Sequence, residues 1–126
     1  MTGSDKYGNR IEVDEINKKI YIVKLNECVR KNLYKIIPRE KNLNFIRKFK
    51  LNYDKIKKIL LSLSENNIMY MTKDVEYTKY GNEPLIVFKK EHKLIDAYGN
   101  ENNYLLYIKI KFKKDRLPII SIHLDE

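Results

Sequence analysis

Cysteine is almost missing from this chain: Cys28 is the only one. A disulfide scaffold is therefore excluded, and so are zinc-finger and iron–sulfur sites, which need several thiols. Glycine is scarce too, at four residues, and neither a GxGxxG run nor a P-loop occurs. Nucleotide-cofactor folds lose their signature with it, and no cofactor or metal is expected. No apolar run approaches the roughly 18 residues of a membrane span, and no signal peptide opens the chain. The expectation is a protein of a reducing cytoplasm with no membrane partner. What remains is 126 residues with 43% hydrophobic side chains, enough to bury one core and too regularly placed for disorder. Residues 1–9 read as a flexible lead-in, and residues 10–126 as a single domain.

Charge is present in excess of one sign. Lys and Arg total 26 against 17 Asp and Glu, a net +9. The excess is local: residues 31–60 hold ten basic and two acidic side chains, a net +8. A second basic cluster runs from Lys109 to Arg116. Concentrated positive charge favours a phosphate polyanion as partner. The competing explanation is a lysine-rich composition in which Lys fills any solvated position.

Hydrophobic spacing gives the coarse architecture. Residues 10–24 fit either a hairpin around Glu15–Lys18 or a helix within 15–31 whose face carries Ile16, Ile20, Val23 and Val29. The helix is the favoured reading. A short β-rich run over 33–38 is closed by Pro38. Leu43, Ile46 and Phe49, and then Ile56, Ile59, Leu60 and Leu63, repeat at helical spacing. Residues 64–84 read as a polar loop. Strands are expected at 85–90, 104–112 and 117–124, with Gly99-Asn100 as a turn. Helices followed by consecutive strands imply an α+β fold: an antiparallel sheet of about four strands against two or three helices.

The last two strands define a face. Leu106, Ile108, Ile110 and Phe112 alternate with Tyr107, Lys109 and Lys111, and Ile120, Ile122 and Leu124 alternate with Ser121 and His123. The apolar sets must share the core side, so the polar sets share the other. A five-residue connection sets Tyr107 opposite His123 and Lys109 opposite Ser121; a three-residue one slips the partners by two but keeps the faces. These side chains suit cleavage of RNA by its own 2′-hydroxyl. A base must take that proton, an acid must protonate the leaving 5′-oxygen, and cations must stabilise the phosphorane. Histidine is suited to proton transfer at neutral pH, and tyrosine can donate a hydrogen bond or stack on a base.

Five phrases in order then resemble the MqsR-like toxins of bacterial toxin–antitoxin modules. They are Pro38-Arg39-Glu40-Lys41-Asn42-Leu43, Leu60-Leu61-Ser62-Leu63-Ser64, Leu85-Ile86-Val87-Phe88-Lys89, Tyr107-Ile108-Lys109-Ile110 and Ser121-Ile122-His123. The resemblance spans residues 16–124. It implies a RelE/YoeB-like fold, a metal-independent mRNA endonuclease activity and a neutralising antitoxin. It sets the family's functional tyrosine on Tyr107 and the basic residue of its last strand on His123. A family lysine falls near Tyr70, with Lys73 as the nearest substitute, and a family glutamine has no equivalent. The expected catalytic set is His123, Tyr107, Lys109 and Arg39. The expected RNA contacts are Lys41, Lys57, Lys58, Tyr70, Lys73, Lys111 and Ser121. Two alternatives stand beside this reading: a non-catalytic RNA- or DNA-binding module, and a toxin domain of a larger secreted effector.

Overall fold

A computed structural model describes residues 10–73 and 83–125. Residues 1–9, expected to be a flexible lead-in, and residues 74–82 of the expected loop lie outside the described residues. Helix α1 spans Glu15–Arg30 and starts where the Asp14 carboxylate accepts the Asn17 backbone N–H at 2.8 Å. The helix expected here therefore exists, and Val29 of its expected face is buried, but the rest of that face is not. Leu25, Cys28 and Val29 enter the core, whereas Ile16, Ile20 and Val23 are 73%, 55% and 65% exposed. The helix carries apolar residues on two faces, and spacing alone does not say which one meets the sheet.

Strand β1 (Tyr34–Ile36) leads into α2 (Glu40–Lys48) and α3 (Tyr53–Leu61). Both α1 and α2 end in a left-handed residue, Asn32 (φ 62°) and Lys50 (φ 48°). In each case the next N–H turns back into the last helical turn: Leu33 N to Cys28 O at 2.7 Å, and Leu51 N to Ile46 O at 2.9 Å. Asn52 caps α3 through Lys55 N at 2.9 Å. A 3₁₀ turn at Glu65–Asn67 then opens a strand, β2 (Ile68–Lys73), inside the stretch expected to be a loop. Its pairing with β3 (Pro84–Ile95) supplies the backbone partners that its own short apolar pattern does not announce. Strands β4 (Glu101–Lys111) and β5 (Leu117–Leu124) complete the sheet. The β3–β4 turn closes on Asp96, whose carboxylate accepts the N–H groups of Tyr98 and Asn100, with Gly99 at φ 86°.

The fold is α+β, with a five-stranded sheet in the order β1-β5-β4-β3-β2. Two expectations are corrected here. The sheet has five strands rather than about four, because of β2. It is also mixed rather than antiparallel, because β1 lies parallel to β5, with Tyr34 opposite Leu117 and Ile36 opposite Ile119. Hydrophobic spacing marks a strand but not its neighbour. The register of β4 and β5 is the one a five-residue connection gives: Tyr107 opposite His123, Lys109 opposite Ser121. A bulge then pairs Ile110 with Ile119, so Ile119 takes the core place expected for Ile120.

All three helices contribute to one core with a single face of the sheet. Leu25, Phe45, Phe49, Ile59 and Leu60 pack with Ile86, Phe88, Leu106, Ile108, Ile110, Ile119 and Ile122. The opposite face carries Tyr70, Val87, Lys89, Tyr107, Lys109 and His123. Among the described residues, no helix is long and apolar enough to cross a membrane.

Candidate active site

Alternation along β4 and β5 sends Tyr107, Lys109 and His123 away from the core, and α2 closes one side of the space above them. The result is a cleft of about 340 Å³ lined by Arg39, Lys41, Tyr107, Lys109, Ser121, His123, Leu124 and Asp125. Six of these eight were expected from the sequence as site residues. Lys41 and His123 also line a second hollow, of about 180 Å³, with Lys48 of α2.

His123 is fixed on two sides. Its ring stacks on Tyr107, with centroids 5.3 Å apart and planes 17° from parallel. Its Nδ1 lies 2.9 Å from the Leu124 carbonyl oxygen. A carbonyl can only accept, so Nδ1 carries the proton. In the neutral ring Nε2 then holds the lone pair. The tautomer is thus set by backbone, and the nitrogen left for chemistry is Nε2.

The Tyr107 hydroxyl is pushed up to about 12, first by burial and then by the charge and hydrogen bond of Tyr70; Asp125 adds to this and Arg10 opposes it. The ring therefore stays a neutral phenol at physiological pH. Tyr70 in turn lies under the Arg10 guanidinium, 4.6 Å from the ring centroid. Val87, opposite Tyr70 in the register, is 1% exposed yet separate from the main core. The site face thus has its own small apolar floor.

Arg39 precedes α2, and its side chain turns toward β5 rather than capping the helix. Its Nη1 lies 3.4 Å from Ser121 Oγ and 3.5 Å from the Ile120 carbonyl. Both contacts are long, and guanidinium has five donors, so capacity remains for an anion in the cleft. Ser121 is 4% exposed, so it supports Arg39 more than it offers a contact of its own. The cleft's carboxylate, Asp125, is held by Lys89 at 3.2 Å.

Other expected residues are placed elsewhere. Tyr70 joins the site through Tyr107 without lining the cleft. Lys111 lies one step further along the same face and is paired with Glu83 at 3.8 Å. Lys57 donates to Asn32 Oδ1 at 3.1 Å, and Lys58 lines a hollow between α3 and β3; neither lines the cleft. Lys73 ends β2, and its side chain lies outside the described residues.

Sequence reasoning passed over Asn42. It is 1% exposed, and its amide makes three bonds to backbone. Nδ2 donates to Ile37 O at 2.8 Å and Ile120 O at 3.0 Å, while Oδ1 accepts Ile122 N at 2.9 Å. Strand β1 stops at Ile36, and Asn42 continues the pairing of β5 beyond that end. It thereby fixes the backbone on both sides of Ser121 and just before His123. The signal was a polar residue on the core-facing stripe of α2. Lys89 and Asp125 were also passed over, because only the register brings them together.

No protein-family model, curated protein or solved structure matches the chain.

Proposed function

We propose that the protein is an endoribonuclease toxin that cleaves RNA by attack of the ribose 2′-hydroxyl on the adjacent phosphate. The observation that carries this reading is His123, locked with Nε2 as its open nitrogen, in a cleft with Arg39, Lys41 and Lys109. Neutral Nε2 takes the proton of the 2′-hydroxyl as the new 2′-O–P bond forms. Arg39 and Lys109 stabilise the charge on the phosphorane. The P–O5′ bond then breaks, giving a 2′,3′-cyclic phosphate, and the 5′-oxygen takes a proton from imidazolium or solvent. The phenol of Tyr107 orients the imidazole by stacking and offers a face to a base. The chemistry asks for no metal, and a partner protein that covers the cleft would neutralise it as an antitoxin does. A RelE/YoeB-like arrangement of the α+β fold belongs to this reading.

A second reading, RNA binding without cleavage, is favoured by one feature. Tyr107 is engaged with Tyr70 and stays a neutral phenol, so it does not supply the second proton-transfer group that cleavage would pair with His123. One experiment separates the two: incubate the protein with a defined RNA in EDTA and map the ends. New 2′,3′-cyclic phosphate ends support cleavage. Binding with no new ends leaves the second reading. Cleavage abolished by EDTA sinks the metal-independent mechanism.

A further inference from the structure

The basic cluster from Lys109 to Arg116 is only partly used by the cleft. Lys109, Lys111 and Lys113 are alternate residues of β4 and its extension, while Phe112 between them is buried in the core. Alternation sets the three lysines on the site face at steps of about 7 Å. This row leads away from the cleft to a separate pocket of about 510 Å³ at the junction of β1, β5 and the turn joining β4 to β5. The turn is closed by Lys113 N donating to Arg116 O at 3.2 Å, and both residues line the pocket. Its lining includes three cations, Lys35, Lys113 and Arg116, and no carboxylate; Asp115, in the same turn, does not line it. Leu33 and Pro118 supply apolar walls, with the buried Leu117 behind them. Lys35 stands opposite Pro118 in the parallel register, so β1 delivers a cation from the other side.

We propose that this pocket is a subsite for a nucleotide flanking the scissile phosphate, with Lys35, Lys113 and Arg116 holding its phosphate and the apolar walls receiving sugar and base. The proposal rests on the RNA reading of the cleft. Single-stranded RNA suits the arrangement better than a peptide does. Strand β4 runs from Lys109 at the cleft toward this pocket, with Lys111 between them tied to Glu83, and the pocket has cationic and apolar walls together, as one nucleotide requires. A subsite of this kind makes affinity depend on RNA length on one side of the cut.

The test measures binding of uncleavable 2′-O-methyl RNAs by fluorescence anisotropy across a salt series. One oligonucleotide is short enough to fill only the cleft; others extend it at the 5′ or the 3′ end. The wild-type protein should bind one of the extended forms more tightly, with a log–log salt slope steeper by about 0.7 for each added phosphate contact. The Lys113→Ala/Arg116→Ala variant should lose that gain and the extra slope while binding the short oligonucleotide as before, with an unchanged circular dichroism spectrum. A gain that survives in the variant, or no gain from either extension, overturns the subsite; the second is also what a peptide-binding pocket would give. Equal loss for short and extended RNAs overturns its separateness from the cleft. Failure of the wild-type protein to bind any of the RNAs instead defeats the reading of the cleft on which the subsite depends.

Discussion

His123 owes its place to the strand period and its tautomer to the Leu124 carbonyl, so its removal should cost chemistry rather than fold. General acid–base groups contribute about 10²–10⁴-fold. We expect His123→Ala to lose that much RNA cleavage, with its melting temperature close to wild type. A variant that still cleaves at the wild-type rate would transfer the chemistry to the cations. Tyr107 is a different case, because a phenol held at about 12 is a poor base at neutral pH. Tyr107→Phe keeps the stacked ring and should lose less activity than His123→Ala. The raised value also has a consequence for stability. The unfolded phenol ionises near its ordinary value of 10.0 while the folded one stays neutral. This contribution is complete below pH 10 and is lost as pH rises toward 12. Urea unfolding between pH 9 and 12 should therefore fall more steeply for wild type than for Tyr107→Phe; parallel curves would refute the coupling.

At the scale of elements, the junction of α2 with β5 decides whether the site holds together. From inside a helix, Asn42 matches one carbonyl and one N–H of β5, in place of a neighbouring strand, and also the Ile37 carbonyl just past β1. Removing it leaves buried backbone groups unpaired, at about 1–3 kcal/mol for such a group. Asn42→Ala should be destabilised by at least that in urea. Asn42→Asp should be no better at neutral pH, since a carboxylate cannot donate to Ile37 O and Ile120 O. A neutral Asn42→Asp would show that the amide bonds do not matter. The same junction carries Arg39 and Lys41 into the cleft, so activity should fall further than stability does. The Asn32 cap works similarly between helices: its side chain accepts from Tyr53 and Lys57 and joins the end of α1 to α3.

For the whole molecule, the proposed function turns on which part of the +9 charge would meet RNA. The basic excess of residues 31–60 is divided by the fold. Arg39 and Lys41 reach the cleft at the start of α2, whereas Lys57 and Lys58 stand on α3, away from it. Lys41→Glu should weaken RNA binding and flatten its salt dependence by at least about 0.7 in the log–log slope. Lys57→Glu/Lys58→Glu should change the slope less. The opposite ranking would assign recognition to the helical side of the molecule and leave the cleft without its role.

The sequence by itself determined which residues alternate and which repeat at helical spacing. It therefore determined the α+β class, the existence of helices α2 and α3, and the strands that carry Tyr107, Lys109, Ser121 and His123. The requirement that two apolar sets share one core was enough to bring those four together, because a strand's period leaves only two faces. Three things were decided only in the tertiary structure. Helix α1 buries Leu25 beside Val29 and leaves Ile16, Ile20 and Val23 exposed, since a helix apolar on two sides is oriented by what it packs against. Strand β1 pairs in parallel with β5 across most of the chain, and β2 forms inside an apparent loop, since backbone hydrogen bonds carry no side-chain pattern. The bulge at Ile120 and the bonds of Asn42 belong to the same class. The Asn42 bonds satisfy a strand edge that exists only once β1 has ended, and no local spacing records where a distant strand stops.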